Sequence, residues 1–170
     1  MSLAYRPAEV DDLVCIVGNW LDSFRSAHAA GMIAMSDWKA VMTPQVRRVL
    51  ARQNVEAFVA HHPGETDHVA DIYGWIAVER GHAQPLVHYC YVKSAYRKQG
   101  IARGLFRAAA IDPAKPFFYT CKTYVIHELR SKSLILSARW QPLIARRAED
   151  QHQARGDHGP TTSTTTSTRG

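Results

Sequence analysis

The chain has 170 residues, of which 46% are hydrophobic and 21% are charged, and its formal net charge at pH 7 is +6. This length and composition predict one globular domain and argue against a disordered or fibrous chain. No apolar run approaches the roughly 20 residues of a membrane span, and the N-terminus lacks the apolar segment of a signal peptide, so we expect a cytoplasmic protein. The three cysteines include no CxxC pair, which indicates a reducing compartment and no disulfide framework.

The first part of the chain is predicted to form an edge strand and two helices. Residues 3–6 are a short apolar stretch that ends at a proline. Apolar residues at spacings of three and four then predict an amphipathic helix over residues 11–28. A second helix follows, with Ser36 and Asp37 as its expected cap, and we expect Pro44 to kink or break it.

The middle of the chain changes to strands. Residues 57–60, 72–79 and 86–92 are rich in β-formers and are separated by turns that contain Gly and Pro, which predicts an antiparallel meander. A helix over residues 100–111 and a strand over residues 117–121 complete a strand–helix–strand crossover. This last strand should therefore run parallel to the strand at 86–92.

The C-terminal part combines a predicted helix with a tail. Residues 129–147 are predicted to be mostly helical, with an interruption at Pro142. Residues 151–170 contain almost no apolar side chain and include a Ser/Thr run, so we expect them to be disordered. The domain prediction is one folded domain over residues 1–150 and a tail over 151–170. The predicted fold class is α/β (α+β), with a mostly antiparallel sheet flanked by helices.

The stretch most informative about function is the basic loop, residues 93–99, between the strand at 86–92 and the helix that starts at Gly100. A helix start presents unpaired N–H groups and the positive end of the helix dipole, and both attract phosphate. Gly100 has no Cβ to hinder a pyrophosphate, and basic residues flank it. The loop therefore predicts a phosphate-bearing ligand; the alternative is an ordinary strand-to-helix turn with solvated basic residues.

This loop resembles the signature of a known family. Residues 97–102 read Arg-Lys-Gln-Gly-Ile-Ala, which fits the R/Q-x-x-G-x-G/A motif of the GNAT N-acetyltransferase superfamily. The order of predicted elements is also similar to the GNAT fold, and the resemblance covers roughly residues 3–145. It implies acetyl-CoA as cosubstrate, a splayed parallel strand pair around it, and transfer of the acetyl group to an amine that attacks the thioester directly.

The resemblance also implies which residues hold acetyl-CoA. The loop would bind the pyrophosphate and the free strand edge would bind the pantetheine arm, while a backbone N–H near Val92 would polarise the acyl oxygen. The implied cofactor-binding residues are Tyr91, Val92, Lys93, Arg97, Lys98, Gln99, Gly100, Ile101, Ala102 and Arg103.

The catalytic residues that many family members share are not matched directly. Where those members carry a Glu base, the strand before the loop offers His88 as the nearest titratable residue, with a packed core histidine as the alternative. Alternation predicts that His88 and Tyr89 point to opposite faces of the sheet. Glu79 is a second candidate base, with a solvated strand-end charge as the alternative. Tyr124 is the closest match to the Tyr that protonates the leaving thiolate in the family.

Finer features resemble the small GNAT-like proteins that bacteriophages often encode, which would place the protein in a bacterial or phage-infected cell. The matching segments include Trp20-Leu21-x-Ser23-Phe24-Arg25, Gly74-Trp75-Ile76 and His88-Tyr89-x-Tyr91-Val92-Lys93. The family layout would let the first-helix residues Trp20, Ser23 and Phe24 face the acceptor. The alternative is that these three residues belong to the core.

Other classes of function stay open or fit less well. Because the usual Glu and Tyr are missing, the alternative function is a non-catalytic GNAT-fold protein that binds CoA or serves as a virion-associated interaction protein. The basic clusters are short and lack interleaved aromatic residues, so nucleic-acid binding is not expected. The nine histidines include no HExxH motif or Cys/His ligand spacing, so no metal site is expected.

Overall fold

The computed structural model describes residues 3–27, 33–63, 72–121, 123–131 and 139–140, which form one mixed sheet with helices on both faces. The elements are β1 (Ala4–Pro7), α1 (Asp12–Ala27), α2 (Met35–Leu50), β2 (Val55–His61), β3 (Ile72–Glu79), β4 (Leu86–Val92), α3 (Ile101–Ala108), β5 (Phe118–Tyr119), α4 (Tyr124–Ser131) and β6 (Arg139–Trp140). A 3-10 turn over Ser94–Tyr96 lies within the basic loop. The predicted tail over residues 151–170 lies outside the described residues.

The strands of the sheet follow one another in chain order, from β1 at one edge to β6 at the other. β1 to β4 pair antiparallel, which confirms the predicted meander. β4 and β5 pair parallel, as the crossover predicted. A second parallel pair, β5 with β6, was not predicted. The predicted α+β class, with a largely antiparallel sheet flanked by helices, is confirmed.

Each face of the sheet is covered by its own apolar core. α3 and α4 cover one face, where the rings of Phe106 and Phe117 have centroids 5.4 Å apart. α1 and α2 cover the other face, where the rings of Trp20 and Trp75 lie 5.5 Å apart. Burial of such aromatic side chains is the main stabilising contribution in a domain of this size. Helices thus pack against both faces of the sheet. What differs along the sheet is which strand edges are paired with a neighbouring strand.

The second helix differs from its prediction. α2 is continuous through Pro44 and begins at Met35, so Ser36 and Asp37 lie inside its first turn rather than at its cap. Proline removes one backbone hydrogen bond from a helix interior. Tertiary packing offsets that loss, because a row of side chains along α2 is buried: Trp38, Val46 and Val49.

The last predicted helix is wrong at its start and at residues 139–140. α4 begins at Tyr124 rather than near residue 129, and Arg139–Trp140 form the strand β6. Thr123 explains the early start, because its Oγ1 accepts a hydrogen bond from the backbone N–H of Ile126 at 3.3 Å, as a helix N-cap does. Residues 132–138 and 141–147, with Pro142 among them, lie outside the described residues.

Candidate functional site

A cavity of about 430 Å³ lies where the basic loop meets the first turns of α3 and α4. We call it the α3–α4 cavity. All of the predicted cofactor-binding residues line it except Tyr91 and Lys93. The side of α4 contributes Tyr124, Val125 and Glu128. The structure therefore brings the signature residues together with Tyr124, the residue that was predicted to protonate the leaving group.

The start of α3 forms one wall of this cavity. Gly100 holds the N-cap position with φ of 83°, in the left-handed region that favours glycine, and among the described residues no side chain caps the helix by a hydrogen bond. A Cβ built on Gly100 would meet none of the described atoms within 4 Å, so the described part of the chain leaves the space above this residue open. Lys98 also has a positive φ, of 63°, which bends the loop tightly around the helix start. The uncapped N–H groups of the first turn are therefore available to an anion of the size of a phosphate.

Arg97 joins the end of β4 to the start of α4. Its Nε donates a hydrogen bond to the carbonyl of Val92 at 3.2 Å, and its guanidinium lies 4.5 Å from the ring centroid of Tyr124. A cation–π contact at such a partly exposed position contributes roughly 0.5–1 kcal/mol. Tyr124 keeps 42% of its surface exposed, while Arg97 contacts its ring.

The pairing of β4 with β3 is interrupted by a β-bulge. Tyr89 pairs with Ala77, but the next pair is Val87 with Val78, so His88 is an extra residue on β4. β5 pairs with β4 only at the beginning of the strand, up to Val87. Within the described ranges, no strand lies beside the outer edge of β4 past this bulge. The bulge therefore marks the point at which the two parallel strands separate.

The outer edge of β4 beyond the bulge borders the α3–α4 cavity. The backbone N–H of Lys93 donates to the carbonyl of Tyr73, so it points towards β3. Because successive residues of a strand point their backbone groups to alternate sides, the N–H and C=O of Val92 face away from β3. Val92 also lines the cavity. The family resemblance implies a donor to an acyl oxygen near this position, and that role stays a prediction.

The two predicted bases contact each other, and neither lines the α3–α4 cavity. His88 is fully buried, and its Nε2 hydrogen-bonds Oε2 of Glu79 at 2.7 Å. Glu79 is only 3% exposed, so the alternative of a solvated strand-end charge is wrong. Burial is tolerated because its carboxylate has further partners: Arg52 at 3.0 Å and Asn54 at 3.2 Å, which are distant in sequence, and the nearby His82 at 2.9 Å.

The expectation that His88 and Tyr89 point to opposite faces is wrong. Tyr89 stacks on Trp75 on the face that α1 and α2 cover, with ring centroids 5.4 Å apart. On β3, Glu79 lies on the same face as Ala77 and Trp75, because every second residue of a strand shares a face. The hydrogen bond to Glu79 holds the ring of His88 on that face as well. The bulge is the physical reason, because an extra residue suspends the regular alternation of side chains.

The first-helix residues that could have faced an acceptor belong mainly to the core. Trp20 is fully buried, with its ring centroid 5.1 Å from that of Tyr89. The hydroxyls of Ser23 and Tyr89 lie 2.9 Å apart. Burial raises the pKa of Tyr89 above its usual value, so this phenol stays protonated at neutral pH. For Trp20, the core alternative is the one that the structure shows.

Sequence reasoning missed Glu128, which lines the α3–α4 cavity one helical turn after Tyr124. Residues four positions apart share a face of a helix, so this spacing would have pointed to Glu128 once α4 was placed correctly. In the part of the chain that the structure describes, no group of three or more His, Cys, Asp or Glu side chains could hold a metal ion. None of the described helices has the length and apolarity needed to cross a bilayer.

No protein-family model matches the sequence, and no curated protein matches it significantly. Solved structures do resemble the chain. A candidate acetyl transferase from Pyrococcus furiosus aligns with a TM-score of 0.53 and 11% identity over 98% of this chain and 100% of its own. A GCN5-related N-acetyltransferase from Ralstonia eutropha JMP134 aligns with a TM-score of 0.49 and 18% identity over 99% of this chain and 100% of its own.

The PaiA N-acetyltransferase from Thermoplasma acidophilum, in complex with coenzyme A, gives a TM-score of 0.44 and 17% identity over 65% of this chain and 70% of its own. At these identities the similarity concerns the fold, and the resemblance to phage-encoded members stays a prediction. The parallel β4–β5 pair and the helix start at Gly100 are two features that were predicted from the sequence. The chain shares the fold of the acetyl transferase from Pyrococcus furiosus.

Proposed function

We propose that this protein is an acyltransferase that transfers an acetyl group from acetyl-CoA to an amine. The observation that carries the proposal is the α3–α4 cavity, where an uncapped helix start, Gly100 and the basic loop meet at an open strand edge. The pyrophosphate of acetyl-CoA would accept hydrogen bonds from the first N–H groups of α3. Arg97, Lys98 and Arg103 would neutralise part of its charge.

The pantetheine arm would follow the outer edge of β4 beyond the bulge. Its amide groups can exchange hydrogen bonds with the backbone of a strand edge that no neighbouring strand uses. At the end of this path, the N–H of Val92 would donate to the carbonyl oxygen of the thioester. The amine attacks the carbonyl carbon, the negative charge that develops on oxygen is stabilised by this N–H, and the C–S bond then breaks.

Tyr124 is the group we propose for the proton that the departing thiolate takes. It lines the same cavity as Val92, and Arg97 contacts both residues. A proton donor held near the sulfur lowers the barrier to cleavage of the C–S bond. The side chain of Arg97 thus holds the acid in place while the backbone of the loop holds the pyrophosphate.

The amine must lose a proton, because an ammonium ion has no lone pair with which to attack. His88 would receive it through an intervening water, because its buried ring is turned to Glu79 and does not line the cavity. Glu128 is a carboxylate that lines the cavity itself. His88→Gln and Glu128→Gln separate these routes when both are assayed at saturating acetyl-CoA, because the variant that removes the base should then lower turnover at pH 7 by at least tenfold.

The test of this function has two measurements on the same protein. Calorimetry should show that CoA binds, and a free-thiol assay with a panel of primary amines should show CoA release from acetyl-CoA that depends on one class of amine. The absence of CoA binding would overturn the proposal. CoA binding without thiol release with any amine would favour the second candidate function, a CoA-binding protein without catalysis. The location of both predicted bases outside the cavity lining is the observation that favours that alternative.

A further inference from the structure

The β-bulge in β4 determines which backbone groups face the α3–α4 cavity. Before the bulge, the carbonyl of Val87 points to β5 and accepts a hydrogen bond from the N–H of Thr120 at 3.1 Å. In an unbroken strand, the residues at 89 and 91 would then face the same side as Val87, and the N–H of Val92 would face β3. The extra residue His88 shifts this alternation by one. As a result, the backbone of Val92 faces outward, where it lines the cavity.

The bulged residue is held on its backbone by β5. Thr120 donates a hydrogen bond from its Oγ1 to the carbonyl of His88 at 2.8 Å, and Thr120 is only 2% exposed. The bonds from Thr120 to the carbonyls of Val87 and His88 are the last described backbone contacts of β5 with β4 before the two strands separate. A side-chain hydroxyl therefore provides a hydrogen-bond donor to the carbonyl of the extra residue.

β3 holds the side chain of the bulged residue, His88. The ring of His88 is fixed by Glu79, and Glu79 is fixed in turn by Arg52 and Asn54 from the turn between α2 and β2. His88 and Glu79 are both more than nine-tenths buried. The bulge is thus clamped from two sides by buried polar groups.

We propose that Thr120 and the Glu79–His88 pair are positioning residues, which fix the outer edge of β4 for the pantetheine arm. This inference rests on the proposed function and deepens it, because it gives the buried Glu79–His88 pair the role of fixing the geometry of the outer edge of β4. It follows that loss of the clamp should weaken the contact to pantetheine and leave the contact to the nucleotide unchanged. The pyrophosphate lies at α3 and the basic loop, which the clamp does not touch.

The test compares two ligands on three proteins. CoA carries the pantetheine arm, whereas adenosine 3′-phosphate 5′-diphosphate carries only the nucleotide and the pyrophosphate. Thr120→Val keeps the shape of the side chain and removes the donor, and Thr120→Ser keeps the donor. We expect Thr120→Val to bind CoA at least tenfold more weakly than the wild type and to bind the nucleotide within threefold. Thr120→Ser should bind CoA within threefold of the wild type.

Two results separate the ways in which this inference can fail. If the wild type binds both ligands and Thr120→Val weakens both equally or neither, the positioning role is wrong and the proposed function stands. If the wild type binds neither ligand, the proposed function fails and the inference fails with it.

A second measurement needs no variant and so does not depend on the folding of Thr120→Val. In the wild type, the amide proton of Val92 should exchange with solvent at least tenfold faster than that of Lys93, whose N–H bonds Tyr73. CoA should slow exchange at Val92 by at least tenfold, and the nucleotide should leave it unchanged. Slow exchange at Val92 without CoA, or equal protection by both ligands, would overturn the inference.

Discussion

The two halves of β4 differ in what lies beside them, although both are buried in the same sheet. The closed half, residues 86–88, has β3 on one edge and β5 on the other. Its His88 belongs to the buried charged cluster around Glu79 of β3. The open half, residues 89–92, has β3 on one edge and borders the α3–α4 cavity at its end. A single extra residue separates the half that holds the fold from the half that is available to a ligand.

This difference shows that the presence of titratable residues does not by itself identify the part of β4 that would take part in a reaction. The closed half contains the buried histidine, whose carboxylate partner Glu79 lies beside it on β3, yet their hydrogen bonds are directed at each other and at structural neighbours. The open half offers backbone groups and, across the cavity, the exposed phenol of Tyr124. Substitutions in the buried cluster beside the closed half should therefore lower the stability of the fold, in addition to their effect through the clamp, and those around the open half should act on ligand binding and turnover.

The largest effect is expected beside the closed half, from Glu79→Ala on β3. Removal of the carboxylate leaves Arg52 and His88 without their buried acceptor, which should lower the free energy of unfolding by about 3 kcal/mol. Urea denaturation followed by circular dichroism measures this change. Glu56→Ala is the matched control, because Glu56 also pairs with an arginine, Arg80 at 3.1 Å, but is half exposed, and it should cost under about 1 kcal/mol. Equal losses in the two variants would show that the cluster around Glu79 is not a sealed one.

The next effect is expected beside the open half, from Gly100→Asp. A carboxylate above the start of α3 would occupy the space of a phosphate and repel it, so CoA should bind about a hundredfold more weakly, which corresponds to about 2.7 kcal/mol. Calorimetry measures the change. Gly81→Asp is the matched control, because Gly81 has φ of 87° and thus imposes the same backbone strain away from the cavity. If both variants bind CoA like the wild type, the phosphate site lies elsewhere.

A smaller effect is expected from Tyr124→Phe, which removes the proposed acid and keeps the ring that Arg97 contacts. Turnover of acetyl-CoA with its best amine should fall about tenfold at pH 7, while CoA affinity stays within threefold. Tyr96→Phe removes a second phenol from the same cavity and should leave turnover within twofold, because Tyr96 packs on Tyr73. Unchanged turnover in Tyr124→Phe would mean that the thiolate leaves without a proton from this residue.

The contrast between the halves also shows which parts of the molecule the sequence could predict. The loop and the α3 start depend on neighbouring residues, because Gly100 at a left-handed position and the basic residues around it form a local pattern. The bulge at His88 depends on the pairing of β4 with two other strands, and no glycine or proline in residues 86–92 signals it. The burial of Glu79 depends likewise on Arg52, which is distant in sequence.

Two helices show the same division between local and tertiary causes. Thr123 is a local N-cap signal for α4, and its use would have placed Tyr124 and Glu128 on one face of that helix from the sequence alone. Pro44 is a local signal as well, but packing of α2 against α1 and the sheet overrides it. Local patterns therefore predicted the basic loop and the helix start at Gly100, whereas the open strand edge beside them arises from tertiary contacts.

The smallest effect concerns Cys121, which follows Thr120 where β5 leaves β4. Burial raises the pKa of this thiol from 9.0 to about 11, so the folded protein keeps the proton in a pH range where the unfolded chain loses it. Because the unfolded state then binds fewer protons than the folded state, stability must fall as the pH rises from 9 to 11. At pH 10, about one unit above the ordinary value, the loss due to this thiol should be about 1 kcal/mol.

Cys121→Ala isolates this contribution, because the variant has no thiol to titrate at that position. The difference in free energy of unfolding between wild type and variant should change by about 1 kcal/mol between pH 8 and pH 10, in the direction that weakens the wild type. Cys15→Ala is the comparison, because Cys15 is only half-buried and should give a smaller change. A pH-independent difference for Cys121→Ala would mean that water reaches the end of β5, and the closed half of β4 would then be less sealed than its hydrogen bonds indicate.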